Sequence, residues 1–138
     1  MATYASENRT YVVKDATYPK KGNLLTIDTS TGLVDLTAAT EVCFLIAVDE
    51  SSRGDDNVLD ASGALITAVP VGGVCLVAAN GGETWTPGDV IFVGADGQAT
   101  STAGSNKKLG IYIDGVTANT TTVEGQLYAV NTLSAEQA

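Results

Sequence analysis

The feature that most limits the possible folds of this chain is a unit of sequence that occurs twice. The first copy starts at Gly22, continues with a short apolar run, turns at Gly32 and ends in a second apolar run closed by Asp49. The second copy has the same parts in the same order from Gly88 to Asp114. The copies are offset by 66 residues at the first glycine and by 65 at the closing aspartate, so one gap in the turn aligns them. Because neither copy carries a reactive set of side chains, the repeat predicts a scaffold that presents surfaces.

Short runs rich in Val, Ile, Thr and Ala alternate with clusters of Gly, Asp and Asn along the whole chain, which is typical of an all-β protein. The 138 residues are enough for one domain. We therefore predict a small β-barrel or sandwich of about nine to eleven strands. The predicted organisation is an N-terminal arm over residues 1–21, a single β domain over 22–130 that contains the repeat units 22–49 and 88–114, and a polar tail over 131–138.

Individual strands can be placed from the pattern of apolar runs and turn residues. The run Glu41–Val48 is continuously apolar after its first residue, so we expect it to be buried on both faces. Val74–Ala78 is predicted as a strand as well. Near the C-terminus, Thr120–Val123 and Gln126–Val130 flank a Glu-Gly turn and are predicted to pair with each other as a last hairpin.

The distribution of charge argues against nucleic acid as a partner. The chain has a net charge of −9, and the few basic residues are concentrated in residues 1–21, which carry +2, whereas the remainder carries −11. An acidic body without clustered Lys and Arg cannot neutralise phosphates. No apolar run is long enough for a membrane span, and the N-terminus lacks the apolar centre of a signal peptide. We therefore expect synthesis in the cytoplasm, without secretion and without a membrane partner.

The sequence offers little for catalysis. It has no histidine, which removes the usual general base and the commonest zinc ligand. No nucleophile-elbow, metalloprotease or phosphate-loop motif is present, and most carboxylates stand in turns, where Asp is expected for backbone reasons. We predict a protein that is not an enzyme and that has no cofactor, no metal and no small-molecule substrate.

Two features leave alternatives open. The acidic loop 49–57 offers Asp49, Glu50, Asp55 and Asp56 for a calcium site, but its match to the EF-hand pattern places Arg53 where an oxygen ligand is required, so a solvated loop is favoured. Cys43 and Cys75 stand in apolar runs and are expected to be buried thiols, with a disulfide only if their strands are neighbours.

The aromatic residues suggest contacts beyond a simple core. Tyr4, Tyr11 and Tyr18 stand in the polar segment 1–21, where they would be buried against a sister subunit or a partner, unless the segment is a frayed terminus with one strand at a sheet edge. Trp85 and Pro87 are assigned to the core or to a subunit interface; no aromatic cluster for carbohydrate binding is visible.

The sequence of parts resembles a family of viral structural proteins. A glycine-led strand, the turn Asp28–Gly32, a Thr/Ala spacer and a run ending at Val48 resemble the head decoration proteins of lambda-like phages. The stretches Pro87–Gln98 and Lys108–Gly115 are similar to the broader group of phage capsid cement proteins. The likeness covers about residues 20–115.

This resemblance implies a β-tulip-like or small barrel domain that forms homotrimers on the outer surface of the capsid in the virion. It also implies an N-terminal arm that binds the major capsid protein. In this chain the arm residues are Tyr4, Arg9, Tyr11, Lys14, Tyr18, Lys20 and Lys21. The alternatives are a tail or baseplate β module of a virion, and a sugar- or calcium-binding β module.

Overall fold

The structure is a computed structural model that describes residues 8–14, 19–49, 65–114 and 119–133. Within these ranges the chain forms twelve β-strands and a single turn of 3₁₀ helix at Ala95–Gly97. The sheets are curled, which confirms the predicted all-β, barrel-like fold class.

The first sheet has five antiparallel strands in the order β1-β5-β4-β2-β3. The strands are β1 (Arg9–Val12), β2 (Leu24–Ile27), β3 (Val34–Leu36), β4 (Leu45–Ala47) and β5 (Leu65–Pro70). The central strand β4 is buried on both faces, as its continuous apolar run predicted.

The second sheet also has five strands, in the order β6-β12-β10-β8-β9. The strands are β6 (Val74–Ala78), β8 (Val90–Val93), β9 (Ala99–Thr100), β10 (Lys108–Tyr112) and β12 (Leu127–Thr132). A separate two-stranded sheet pairs β7 (Thr84–Trp85) with β11 (Thr120–Thr121).

The two five-stranded sheets have the same topology. In each, the first strand in sequence forms one edge, pairs with the last strand, and is followed across the sheet by the fourth, second and third strands. We call residues 9–71 module 1 and residues 74–133 module 2. The repeat seen in the sequence therefore extends from two strand units to two complete modules.

The strand registers are equivalent as well. Leu24 lies opposite Ile46 in module 1, and Val90, 66 positions after Leu24, lies opposite Ile111 in module 2. Hydrogen bonds outside the ladders repeat in the same way: the Gly22 N–H donates to the Ala47 carbonyl at 2.8 Å, and the Gly88 N–H to the carbonyl of Tyr112 at 2.8 Å.

The modules stack in the same orientation and share a core. One face of the first sheet carries its own apolar cluster, which contains Leu25, Ile66 and Ala68. On the opposite face, which we call the outer face, Leu24 and Ile46 belong to a larger cluster that is formed mainly by the inner side chains of the second sheet. The outer face of module 1 therefore closes the core of module 2.

Part of the predicted N-terminal arm belongs to module 1. β1 pairs with β5 along its whole length, Val13 is fully buried, and the Lys14 N–H donates to the Val34 carbonyl at 2.7 Å. Residues 9–14 thus form the sheet-edge strand that was the alternative for this segment, and they are joined to the domain that was predicted to begin at residue 22.

The predicted last hairpin around Glu124 and Gly125 is wrong. β11 pairs with β7, whereas β12 lies between β10 and β6. The physical reason is burial. Tyr128 and Val130 of β12 belong to the shared core, and in a hairpin at the edge of the sheet these side chains would be less buried. β12 also continues to Thr132, past the boundary predicted at residue 130.

Gly22 holds the modules together where a side chain would not fit. Its carbonyl accepts the Ala78 N–H at 2.8 Å, and its φ is +87°. A Cβ atom there would lie 2.2 Å from Leu127 Cδ2 and 2.9 Å from the Ala78 nitrogen. Its equivalent, Gly88, has φ +99° but no heavy atom within 4 Å of such a Cβ.

We expect Gly22→Ala to destabilise the fold more than Gly88→Ala. Both substitutions carry a cost of roughly 1–2 kcal/mol for a left-handed alanine, but only Gly22→Ala adds overpacking at the module junction, about 1–3 kcal/mol more. Thermal or urea unfolding of the two variants measures the difference. Equal losses of stability would contradict the close contact at Gly22.

Candidate interaction surface

Trp85 is the centre of a buried aromatic cluster in module 2. It is fully buried, with ring centroids 5.3 Å from Tyr112 and 5.5 Å from Tyr128. The edge-on and tilted geometries are those that aromatic pairs prefer. The fold thus assembles a cluster that was not visible in the sequence, and its burial makes it part of the core. Pro87 lies exposed in the following turn.

Glu83 fixes the aromatic cluster in place. Its Oε1 accepts hydrogen bonds from Trp85 Nε1 at 2.9 Å and from the Ser101 N–H at 2.8 Å, and its Oε2 accepts from Asn80 Nδ2 at 3.0 Å and from Thr100 Oγ1. Partial burial acts to raise the pKa of Glu83, but these hydrogen bonds outweigh it and leave the pKa below its ordinary value. The carboxylate therefore has a structural role in joining β7 to β9.

The predicted arm residues do not form one group in the structure. Arg9 and Tyr11 lie in β1. Lys14 Nζ forms an ion pair with Asp28 Oδ2 at 2.9 Å. The Ser30 hydroxyl and Lys14 hold the pKa of Asp28 well below its usual range. Tyr4 and Tyr18, the other two predicted tyrosines, lie outside the described residues.

Lys20 and Lys21 line a polar groove between the modules. The groove has a volume of about 370 Å³ and also contains Asp96, Gln98 and Glu124. Its basic and acidic side chains are mixed, and no aromatic side chain lines it. The groove therefore lacks the stacking platform that a sugar site would need.

The outer face of the second sheet, which corresponds to the outer face of module 1, exposes several apolar side chains. Cross-strand pairing places Val74 beside Asn131, Asn131 beside Ile111, and Ile111 beside Val90. A second row runs from Leu76 to Ala129, and the Ile113 N–H donates to the Ala129 carbonyl at 3.2 Å. We call six uncharged side chains on this face the outer patch: Val74, Leu76, Val90, Ile111, Ile113 and Ala129.

The outer patch is exposed to an unusual degree. Val74 is 64% exposed, Leu76 50%, Ile113 45% and Val90 39%. Single exposed apolar residues are normal, but neighbouring ones on one sheet face form a candidate interaction surface. Here they lie on β6, on β8 and directly after β10, and the half-buried Ile111 and Ala129 and the exposed Asn131 lie between them.

The same positions in module 1 are covered. Leu24 and Ile46, the equivalents of Val90 and Ile111, are 0% and 1% exposed because module 2 covers them. The modules differ at the edge strand. Asn8, just before β1, and Thr10, within it, are polar, whereas the equivalent residues of β6, Val74 and Leu76, are apolar. Sequence reasoning found β6 but missed the patch, since a wholly apolar run does not reveal which of its side chains face solvent.

Other chemistry is sparse in the part of the chain that the structure describes. The structure brings no three metal-binding side chains together in this part, and none of its helices is long and apolar enough to cross a membrane.

Both thiols are free; burial raises the pKa of Cys43 to about 12, and the pKa of the partly buried Cys75 is raised as well. Burial was expected for both cysteines and holds fully only for Cys43. The predicted loop 49–57 lies outside the described residues, except for Asp49.

Comparison with known proteins finds similarity among solved structures. No protein-family model matches the sequence, and no curated protein matches it significantly. Among solved structures, the chain is similar to the crystal structure of the N base of the head fiber gp8.5 in bacteriophage phi29. The TM-score is 0.62 at 18% sequence identity, and the match covers 91% of this chain and 94% of that chain. At this identity the match shows a shared fold.

We expect Glu83→Gln to destabilise the protein by about 1–2 kcal/mol, because a neutral amide offers weaker acceptors to buried donors. Because the pKa of Glu83 is lowered in the folded protein, its ionised carboxylate adds to the free energy of unfolding above pH 4.5, the ordinary pKa of glutamate. This stabilisation is lost as the pH falls through the folded-state pKa. The gap in unfolding free energy between wild type and variant should therefore narrow in acid.

The matched control is Glu41→Gln. Glu41 Oε1 accepts a hydrogen bond from the Ala38 N–H at 2.8 Å in an exposed position, so its replacement should cost less than Glu83→Gln. Denaturant titrations at neutral and acidic pH measure both variants. If the difference in unfolding free energy between wild type and Glu83→Gln widens in acid, the stabilising role of the ionised Glu83 carboxylate is wrong.

Proposed function

We propose that this chain is a non-enzymatic structural protein of a phage head. It binds the outside of the shell as a trimer and stabilises the shell by bridging subunits of the major capsid protein. The observation that carries the proposal is the likeness, over nearly the whole of both chains, to the base of a phage head fiber. The phage-like order of turns and strands in the sequence supports the same class of protein independently.

The architecture supports a role in holding shape. Two modules share one core, so the domain is a rigid block whose large surfaces are sheet faces and edges. The described grooves are open and lined by mixed polar groups, and the aromatic residues Trp85, Tyr112 and Tyr128 serve the core. A block of this kind suits binding between large partners better than it suits binding a small substrate.

The stabilising effect would come from repetition of weak contacts. In a trimer seated over a junction between capsid subunits, each copy binds a different neighbour. Once one copy is bound, the others bind at a high effective concentration, so modest contacts add up to strong attachment. Separating two capsid subunits would then require breaking cement contacts as well.

The N-terminal residues are the proposed capsid contact. Because residues 9–14 are fixed in module 1, the part of the predicted arm that can extend from the edge strand is residues 1–7. Fully extended, seven residues span about 25 Å. That length would allow Tyr4 to reach a neighbouring subunit and to add a short strand to its sheet. Lys20 and Lys21, which line the groove between the modules, would provide a second, electrostatic contact.

The direct test is to mix purified protein with undecorated expanded heads and to locate it by electron microscopy. We expect density on the outer surface at local threefold positions. Density at the tail or baseplate would favour the alternative virion role, and failure to bind any part of the virion would overturn the proposal. The sugar- or calcium-binding alternative predicts that ligand raises the melting temperature; a flat response would remove it.

We expect deletion of residues 1–7 to weaken head binding by roughly tenfold or more, since each of three copies loses a contact. The melting temperature should stay near the wild-type value, because β1 and the buried Val13 are retained. Sedimentation of labelled protein with heads measures the change.

The matched control is deletion of residues 134–138, which removes a similar length from the other end and should leave binding unchanged. Deletion of residues 1–21 is not a clean test, because it also removes β1 and Val13. Wild-type binding by the 1–7 deletion would show that the N-terminal contact is wrong.

A further inference from the structure

We infer that the outer patch of module 2 is the surface through which copies of this chain associate, and that it packs against the corresponding face of neighbouring copies. The inference deepens the proposed function. It rests on that function in one respect, the number of copies in the assembly, which is three.

The internal repeat supplies the first argument. The outer face of module 1 is apolar at Leu24 and Ile46, and a sheet of the same fold covers it within this chain. Module 2 keeps apolar residues at the equivalent positions, Val90 and Ile111, although they lie on the exposed side of the second sheet. In this fold the outer face of a module is therefore suited to packing against another apolar protein surface.

The edge strand supplies the second argument. If the apolar character of this face were only inherited through the repeat, β6 would be polar where β1 is polar. Instead Val74 and Leu76 replace the equivalents of Asn8 and Thr10, and both are at least half exposed. On module 2 the apolar side chains of this face therefore reach the edge strand β6, and they extend from β6 to β8 with the polar Asn131 among them.

Charge supplies the third argument. The chain carries a net charge of −9, so two copies repel each other over most of their surfaces. The outer patch is uncharged, and Lys108 and Asp114 stand at its borders, beside Phe92 and Ile113 respectively. An uncharged centre with a polar rim is the usual anatomy of a permanent interface.

Availability favours a second copy over a capsid protein. A head-binding protein must first exist free in the cell, and an apolar sheet face left bare during that time promotes aggregation. The partner present from synthesis onward is another copy of the same chain. The capsid contact would then use surfaces that can remain solvated.

The test measures the oligomeric state of the full chain by sedimentation velocity. We expect wild type to sediment as a trimer. Leu76→Glu and Ile113→Glu, which introduce charges on two different strands of the patch, should weaken association by roughly 100-fold or more and yield monomers. Val123→Glu is the matched control: Val123 is 56% exposed but lies outside the patch, in the turn before β12, and the variant should remain a trimer.

Folding is checked separately by circular dichroism and melting temperature. Because Leu76 and Ile113 are about half exposed, a folded monomer should tolerate the substitutions. If either glutamate variant fails to fold, Leu76→Gln and Ile113→Gln provide the same comparison without a buried charge. Trimers that persist in the folded patch variants would overturn the inference.

Head binding separates this inference from the proposed function. Wild-type monomers that bind heads, and lose binding in the Leu76→Glu variant, would mean that the patch contacts the capsid; the inference would then be wrong and the proposed function would stand. Trimers that dissociate in the patch variants but never bind heads would support the interface and overturn the proposed function.

Discussion

The contact between the outer face of the first sheet and the inner side chains of the second is the interaction on which the rest of the structure depends. Apolar sheet faces must be buried, and here the shared core buries the outer face of module 1 together with the inner face of module 2, while the other face of module 1 has its own cluster. Trp85, Tyr112 and Tyr128 are members of that core, and Glu83 accepts a hydrogen bond from the tryptophan indole N–H. The stability of either module is therefore coupled to the presence of the other.

The stacking also explains why one surface of the molecule is unlike the others. Each module has an inner face and an outer face, and two stacked modules leave one outer face without a neighbour. In module 2 this face carries apolar side chains across four strands. Exposed apolar side chains grouped on one sheet face are suited to contact with another protein surface.

The sequence predicted the β class, the repeat and the strands with clear boundaries, because apolar runs and glycine turns are local signals. It did not predict the pairing of β11 with β7, since two-residue strands carry almost no periodicity. It missed the aromatic cluster around Trp85, whose members are brought together from three separate strands. It also missed the outer patch, because the run Val74–Ala78 is apolar on both faces and only the packing of Val77 decides which face is buried.

The pairing of first and last strands has a consequence for how the chain becomes structured during synthesis. In module 1 the first strand, β1, pairs with the last strand, β5, and in module 2 β6 pairs with β12. Each sheet can therefore be completed only after its last strand has left the ribosome. N-terminal units generally fold first on the ribosome. We expect the first sheet, with Leu24 and Ile46 still uncovered, to provide the surface on which the second half of the chain then packs.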